Sequence, residues 1–105
     1  MKALGKLLRS FSYAFDGLRY SFATQRNMRI HMTAAALVSV LTLLLPLSTA
    51  EILFVTAAVC AVIICELANT ALETVVDMVS PTPNPLAKIA KDIAAAAVMV
   101  SAFFA

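Results

Sequence analysis

The first 24 residues carry large apolar side chains every three or four positions. This 3.6-residue period predicts an amphipathic α-helix over about 2–24. Its basic flank and aromatic stripe favour a helix lying flat in a membrane interface, with packing on another protein as the alternative. The apolar positions are Leu4, Leu7, Leu8, Phe11, Phe15, Leu18 and Phe22.

Three long apolar segments follow this helix. The first is predicted to span a membrane over about 30–47, where Pro46 ends it. The second runs without a helix breaker over about 52–79, and the prolines of the next six residues forbid helix. The third covers about 86–105, roughly 30 Å of helix, which crosses a bilayer once. The pattern therefore predicts an all-α membrane protein with a surface helix and three transmembrane helices.

Composition supports a lipid bilayer as the surroundings of this chain. Its 105 residues are 62% hydrophobic and 13% charged, which is too apolar for a soluble domain of this size. The length allows one domain, 1–105, with no room for a separate soluble catalytic domain. A net charge of +2 is too small to indicate a nucleic-acid partner.

The basic residues predict the orientation of the chain. Six Lys and Arg residues precede the first predicted span, Lys88 and Lys91 follow the second, and the segment 47–51 has none. Because cytoplasmic loops carry an excess of Lys and Arg, the N-terminus and the Pro-rich second loop are expected in the cytoplasm. We expect a multi-pass protein of the cell inner (plasma) membrane.

The second predicted span carries a stripe of polar side chains. Their spacing of i, i+3, i+7 and i+11 places them within an arc of roughly 80° on a helix. Carboxylates at membrane depth are costly, so the stripe is expected to face a bundle interior or a wet cleft, and a functional role is the default interpretation. The stripe consists of Glu66, Asn69, Glu73 and Asp77.

A structural alternative is that these acids pair with Lys88 and Lys91 and join the helices. Two cations against three acids leave room for a divalent ion, and oxygen ligands favour Mg²⁺. With Gly5 and Gly17 as the only glycines, a glycine-rich phosphate loop is excluded. His31 is interpreted as an interfacial anchor rather than a ligand.

Several motifs resemble those of the prokaryotic diacylglycerol kinase and undecaprenol kinase family. The strongest is ELANTALETVVD at 66–77, followed by PLAKIAKD at 85–92 and an alanine run. SFSYAFDG at 10–17 and RNMRIH at 26–31 extend the resemblance over nearly the whole chain. It implies a homotrimer with composite active sites that transfers the γ-phosphoryl group of MgATP to undecaprenol or diacylglycerol.

The resemblance also implies roles for individual residues. Glu66 resembles the catalytic base, Asn69 an orienting polar group in the substrate site, and Glu73 a metal ligand. The residues that it places at the nucleotide are Tyr13, Glu73, Asp77, Lys91 and Asp92.

Gln25 departs from the family pattern, which usually has a metal-binding glutamate at this position. An amide oxygen can hold Mg²⁺ but brings no charge, so we expect weaker metal binding and a slower enzyme. Two other functions stay open at this stage. One is a non-catalytic or degenerate membrane scaffold that binds lipid or nucleotide, and the other is a small cation transporter with Glu66 as its proton site.

Overall fold

The computed structural model describes all residues, 1–105, and the chain folds into four α-helices. These are α1 (Lys2–Thr24), α2 (Arg26–Leu44), α3 (Thr49–Val79) and α4 (Pro85–Phe104). The all-α prediction is confirmed. The first helix has the bounds expected from its apolar period.

The junction of α1 and α2 is shorter than the sequence predicted. Gln25 alone interrupts the helices, with extended backbone angles (φ −109°, ψ 112°), and its N–H donates to the Ser21 carbonyl at 2.9 Å. Helix α2 then starts at Arg26, four residues before the predicted span. The polar residues 26–31 therefore belong to α2, because one extended residue is enough to redirect the chain.

The ends of α2 and α3 follow local backbone chemistry. Proline disfavours α-helical angles in the preceding residue, so Leu45 is extended before Pro46 and α2 ends at Leu44. Helix α3 begins with a capping box, in which the Ser48 hydroxyl accepts from the Glu51 N–H at 3.2 Å and Glu51 Oε1 accepts from the Ser48 N–H at 3.3 Å. The second apolar segment is therefore one uninterrupted helix of 31 residues.

Helices α3 and α4 form a hairpin. The proline-containing segment 80–84 joins them, and Asn84 caps α4 by accepting from the Leu86 N–H at 2.8 Å, with Pro85 in the first helical position. Packing of α3 on α4 is the most extensive in the chain, and α2 lies on α3. Helix α1 contacts α2 and α3 but makes no contact with α4.

Very little of the apolar surface is buried within one chain. Only 7 of 105 residues are buried, and the apolar stripe of α1 is exposed along its length. Helices α2 and α3 are long and apolar enough to cross a membrane. Helix α4 has 20 residues, enough to cross once, but carries three charged side chains, Lys88, Lys91 and Asp92, in its first turns, and it does not stand out as a span by composition. The third predicted span therefore stays a prediction.

Candidate active site

The polar stripe of α3 faces inward at its centre. Glu66 is 1% exposed and Asn69 is 8% exposed, and both lie among the few buried side chains of the chain. Thr70 is buried beside them, and its hydroxyl donates to the Glu66 carbonyl at 2.9 Å, which satisfies it within the helix. The two side chains that the sequence assigned to catalysis are therefore next to each other on the buried face.

Helix α2 supplies the residue that contacts Glu66. The distance from His31 Nε2 to Glu66 Oε1 is 3.3 Å, and the two side chains are 23% and 2% exposed. The contact lacks hydrogen-bond geometry, so Glu66 Oε1 has no hydrogen-bond partner. Sequence reasoning treated His31 as an anchor and missed this contact. This contact could have been anticipated from the sequence, because a buried carboxylate such as Glu66 needs a donor or a cation beside it.

Asn69 is hydrogen-bonded to the next turn of α3. Its Nδ2 donates to Glu73 Oε1 at 3.4 Å, while its Oδ1 is buried without a hydrogen-bond partner. Two buried acceptor oxygens, Glu66 Oε1 and Asn69 Oδ1, therefore lack donors. Unpaired buried acceptors cost free energy, and a hydroxyl, an N–H group, a water molecule or a cation can satisfy them.

The C-terminal end of the stripe is paired with α4. Lys91 Nζ lies 2.5 Å from Asp77 Oδ1, and Lys88 Nζ lies 2.6 Å from Asp92 Oδ2 within α4. Two lysines were expected to pair with acids of the stripe, and only Lys91 does so. Pairing between helices thus accounts for Asp77 and leaves the other two acids of the stripe without a lysine partner.

A polar cleft opens beside this ion pair at the 80–84 loop. Its volume is about 700 Å³, and its charged lining residues are Asp77, Lys88, Lys91 and Asp92. A cleft of this size with two ammonium groups can hold an anionic group such as a phosphate. Three residues assigned to the nucleotide from sequence are therefore brought together.

A second cleft, of about 490 Å³, has apolar walls. It runs along α2 from His31 to Val38, and α3 and the end of α4 complete it with alanine and valine side chains. His31 belongs both to this cleft and to the contact with Glu66. An alcohol whose hydrocarbon chain occupies the cleft would bring its hydroxyl to the buried carboxylate.

Two residues assigned from sequence make no side-chain hydrogen bond or ion pair with this constellation. Tyr13 is 69% exposed on α1, which makes no contact with α4, so the single chain does not bring it to Lys91 or Asp92. Gln25 is half-buried at the junction of α1 and α2. The positions of both in an assembled site stay predictions.

No three His, Cys, Asp or Glu side chains come close enough to form a metal cage. Mg²⁺ does not require one, because it is usually held by one or two carboxylates together with substrate phosphates and water. Glu73 and the amide of Gln25 offer oxygen ligands of this kind. The role of these two side chains as ligands of Mg²⁺ stays a prediction.

The chain is similar in sequence to proteins of one known family over most of its length. The model of the prokaryotic diacylglycerol kinase family matches residues 12–105. A diacylglycerol kinase of Synechocystis sp. is 48% identical over 100 residues, which cover 94% of this chain and 57% of that protein. The chain thus spans little more than half the length of this relative.

Two further relatives are covered more completely. An undecaprenol kinase of Bacillus subtilis is 37% identical over 99 residues, which are 94% of this chain and 80% of that protein. A diacylglycerol kinase of Haemophilus influenzae is 32% identical over 98 residues, 93% of this chain and 83% of that protein. With a family match over residues 12–105 and relatives of this similarity, the chain belongs to the prokaryotic diacylglycerol kinase family.

Proposed function

We propose that this protein is an ATP- and Mg²⁺-dependent lipid kinase, which phosphorylates the hydroxyl of undecaprenol or diacylglycerol. Membership of the family and the kinase names of its relatives support the reaction class. The observation that carries the proposal is the pair of buried acceptor oxygens on Glu66 and Asn69, which have no donor within the chain. An apolar cleft reaches this pair through His31, and a polar cleft lies farther along the same helix.

In this reaction the lipid O–H bond breaks while the oxygen bonds to the γ-phosphorus, and the bond from that phosphorus to ADP breaks. Glu66 accepts the proton as general base, because its unpartnered Oε1 can accept a hydrogen bond from the hydroxyl. Asn69 Oδ1 orients the same hydroxyl, and its Nδ2 holds Glu73 in place. Phosphoryl transfer depends mostly on such positioning and on charge stabilisation.

The nucleotide binds in the polar cleft. Lys91 leaves Asp77 and donates to a phosphate oxygen, while Asp77 and Asp92 complete the lining, and Tyr13 reaches the nucleotide from another subunit. Mg²⁺ bound with ATP supplies positive charge to the phosphate oxygens, and Glu73 and Gln25 are the side chains that would hold it. In this proposal the reacting phosphoryl group lies between the two clefts.

The chain lies in the inner (plasma) membrane with three spans, α2, α3 and α4, and with α1 on the cytoplasmic surface. The Lys and Arg distribution supports this orientation, because the N-terminal segment and the start of α4 are basic and the segment 47–51 has no basic residue. The exposed apolar stripe of α1 supports contact with lipid. ATP then reaches the polar cleft from the cytoplasm.

A homotrimer with composite sites completes this proposal. It is supported by the small number of buried residues and by the separation of α1 from α4 within one chain, which keeps Tyr13 away from the polar cleft. Contacts between subunits would cover apolar faces and bring α1 of one subunit to α4 of another.

Mixing two defective variants tests the composite site. Tyr13→Ala and Lys91→Ala are each expected to be weak at low ATP concentration. If they are denatured together and reassembled, random trimers restore about a quarter of the sites, because a site then needs one intact residue from each of two subunits. The measurement is kinase activity at low ATP. A mixture no more active than the mean of its two parents contradicts a composite site.

The reaction itself is tested with purified protein in detergent micelles. Undecaprenol and diacylglycerol are offered separately with ATP and Mg²⁺, and the lipid phosphate formed is measured. We expect phosphorylation of at least one of them, and the faster substrate identifies the acceptor. The absence of lipid phosphate from both would refute the proposed function.

A degenerate, non-catalytic family member is the second candidate, and Gln25 is the observation that favours it. Replacement of an anionic ligand by an amide is expected to weaken Mg²⁺ binding without disturbing the fold, since Gln and Glu are nearly isosteric. Nucleotide binding without turnover in the two-lipid assay would support this candidate.

Gln25→Glu is therefore expected to increase turnover and to lower the Mg²⁺ concentration for half-maximal activity severalfold, because a carboxylate adds charge at the metal. The measurement is a titration of activity against Mg²⁺ for both proteins. Asn27→Asp, which adds the same charge at an exposed position two residues away, is the control. Coincident curves for wild type and Gln25→Glu would remove Gln25 from the metal site.

A further inference from the structure

We propose that His31 is a positioning residue for Glu66, in that its Nε2 holds the catalytic carboxylate in the orientation that receives the lipid hydroxyl. This inference rests on the proposed kinase function and assigns a role to a side chain outside the polar stripe. Its first support is geometric, because His31 Nε2 lies 3.3 Å from Glu66 Oε1 across the contact of α2 with α3.

The second support is that Glu66 has no other cationic or imidazole neighbour. Lys91 is paired with Asp77, and Lys88 is paired with Asp92. Arg29, the basic residue of α2 nearest in sequence to His31, donates instead to the Ala23 carbonyl at 3.4 Å. A carboxylate buried without a counter-charge is costly, so the imidazole is the group that stabilises and orients it.

The third support is the position of His31 in the apolar cleft. The imidazole forms part of the cleft wall on one side and contacts Glu66 on the other. A lipid alcohol with its chain in the cleft must therefore pass His31 before its hydroxyl reaches the carboxylate. His31 is thus placed to affect the chemical step and the lipid, while the ATP-binding residues lie two or more turns farther along α3 and on α4.

Two polar substitutions of different length test the role of Nε2. The amide nitrogen of His31→Gln can take the place of Nε2, whereas that of His31→Asn ends closer to the backbone, near the place of Nδ1. We expect His31→Asn to lower kcat roughly tenfold, the usual effect of losing one contact to a charged group. His31→Gln should retain activity within about threefold of wild type, and both should keep the KM for ATP.

Thr33→Val is the matched control on α2, because Thr33 is exposed and its hydroxyl donates only to the Arg29 carbonyl of its own helix. Its activity should stay within about twofold of wild type. All variants are checked for assembly by size-exclusion chromatography in detergent. If kcat falls equally in His31→Asn and His31→Gln, or if the KM for ATP rises, His31 has a role other than positioning through Nε2.

A double variant separates positioning from an independent effect. When Glu66 is replaced by Gln, the carboxylate that His31 positions is absent, so adding His31→Asn should lower the residual activity by less than about twofold. A further tenfold loss in the double variant would overturn the proposal. If wild type phosphorylates neither lipid, the kinase function fails and this role fails with it. If wild type is active and His31→Asn is equally active, the proposed role of His31 is wrong while the kinase function stands.

Discussion

Glu66→Gln is expected to lower the rate of the chemical step by about 10²-fold or more, while assembly and nucleotide affinity stay close to wild type. The reason is that an amide cannot accept the proton from the lipid hydroxyl, although it fills the same buried space. Glu66 is 1% exposed and contacts only His31 among charged or imidazole groups, so a neutral isostere removes a desolvation cost and should not unfold the helix pair. Single-turnover measurements of lipid phosphorylation, with ATP binding measured in parallel, test this expectation.

Glu51→Gln is the matched control for this variant. It makes the same substitution at the N-terminal end of α3, about 22 Å away along the helix axis, where Glu51 is exposed and belongs to the capping box. Because glutamine also serves in a capping box, activity and stability should both be preserved. If the Glu66→Gln variant is fully active, Glu66 is not the general base. A Glu66→Gln protein that fails to assemble would instead indicate a structural role for the buried carboxylate.

Lys91→Ala is expected to raise the KM for ATP roughly tenfold, with a smaller effect on kcat, because a charge-assisted bond to a phosphate oxygen is lost. The structure supports this expectation by placing Lys91 Nζ in the polar cleft, where it is held by Asp77 at 2.5 Å. This ion pair keeps the ammonium group in the cleft. The measurement is initial rate against ATP concentration at saturating lipid.

Lys91→Arg and Lys2→Ala are the controls for this substitution. The first keeps the positive charge and should recover most of the affinity, although a guanidinium differs from an ammonium in shape. The second removes a charge of the same sign at the start of α1, about three turns before Tyr13, and should leave the KM for ATP unchanged. An unchanged KM in Lys91→Ala would remove this residue from the nucleotide site.

Local sequence patterns were sufficient for most of the helical architecture. The apolar period predicted α1 with the bounds that the structure has, and the absence of breakers predicted the long α3. The boundaries of α2 were less accurate, because the turn before it needs only Gln25 and because Pro46 acts on the backbone of Leu45. Such errors arise where one residue's dihedral angles, rather than a periodic pattern, set the end of a helix.

The candidate site was predictable in the part that lies on one helix. A rise of 1.5 Å and a turn of 100° per residue place Glu66, Asn69 and Glu73 on one face whatever surrounds them, and the Asn69 to Glu73 hydrogen bond follows from this spacing. The partners from other helices were not predictable in this way. Sequence reasoning assigned both lysines to the acidic stripe, but Lys88 binds Asp92 within its own helix.

The sequence by itself determined the four helices, the bilayer as their surroundings and the order of polar residues along α3, because each depends on local geometry and on the hydrophobicity of single segments. Only the tertiary structure decided that His31 contacts Glu66, that Lys91 and not Lys88 pairs with the stripe, and that Tyr13 stays apart from α4 within one chain. These contacts join residues that are distant in sequence. They depend on how helices cross and rotate against one another, which the period of a single helix does not specify.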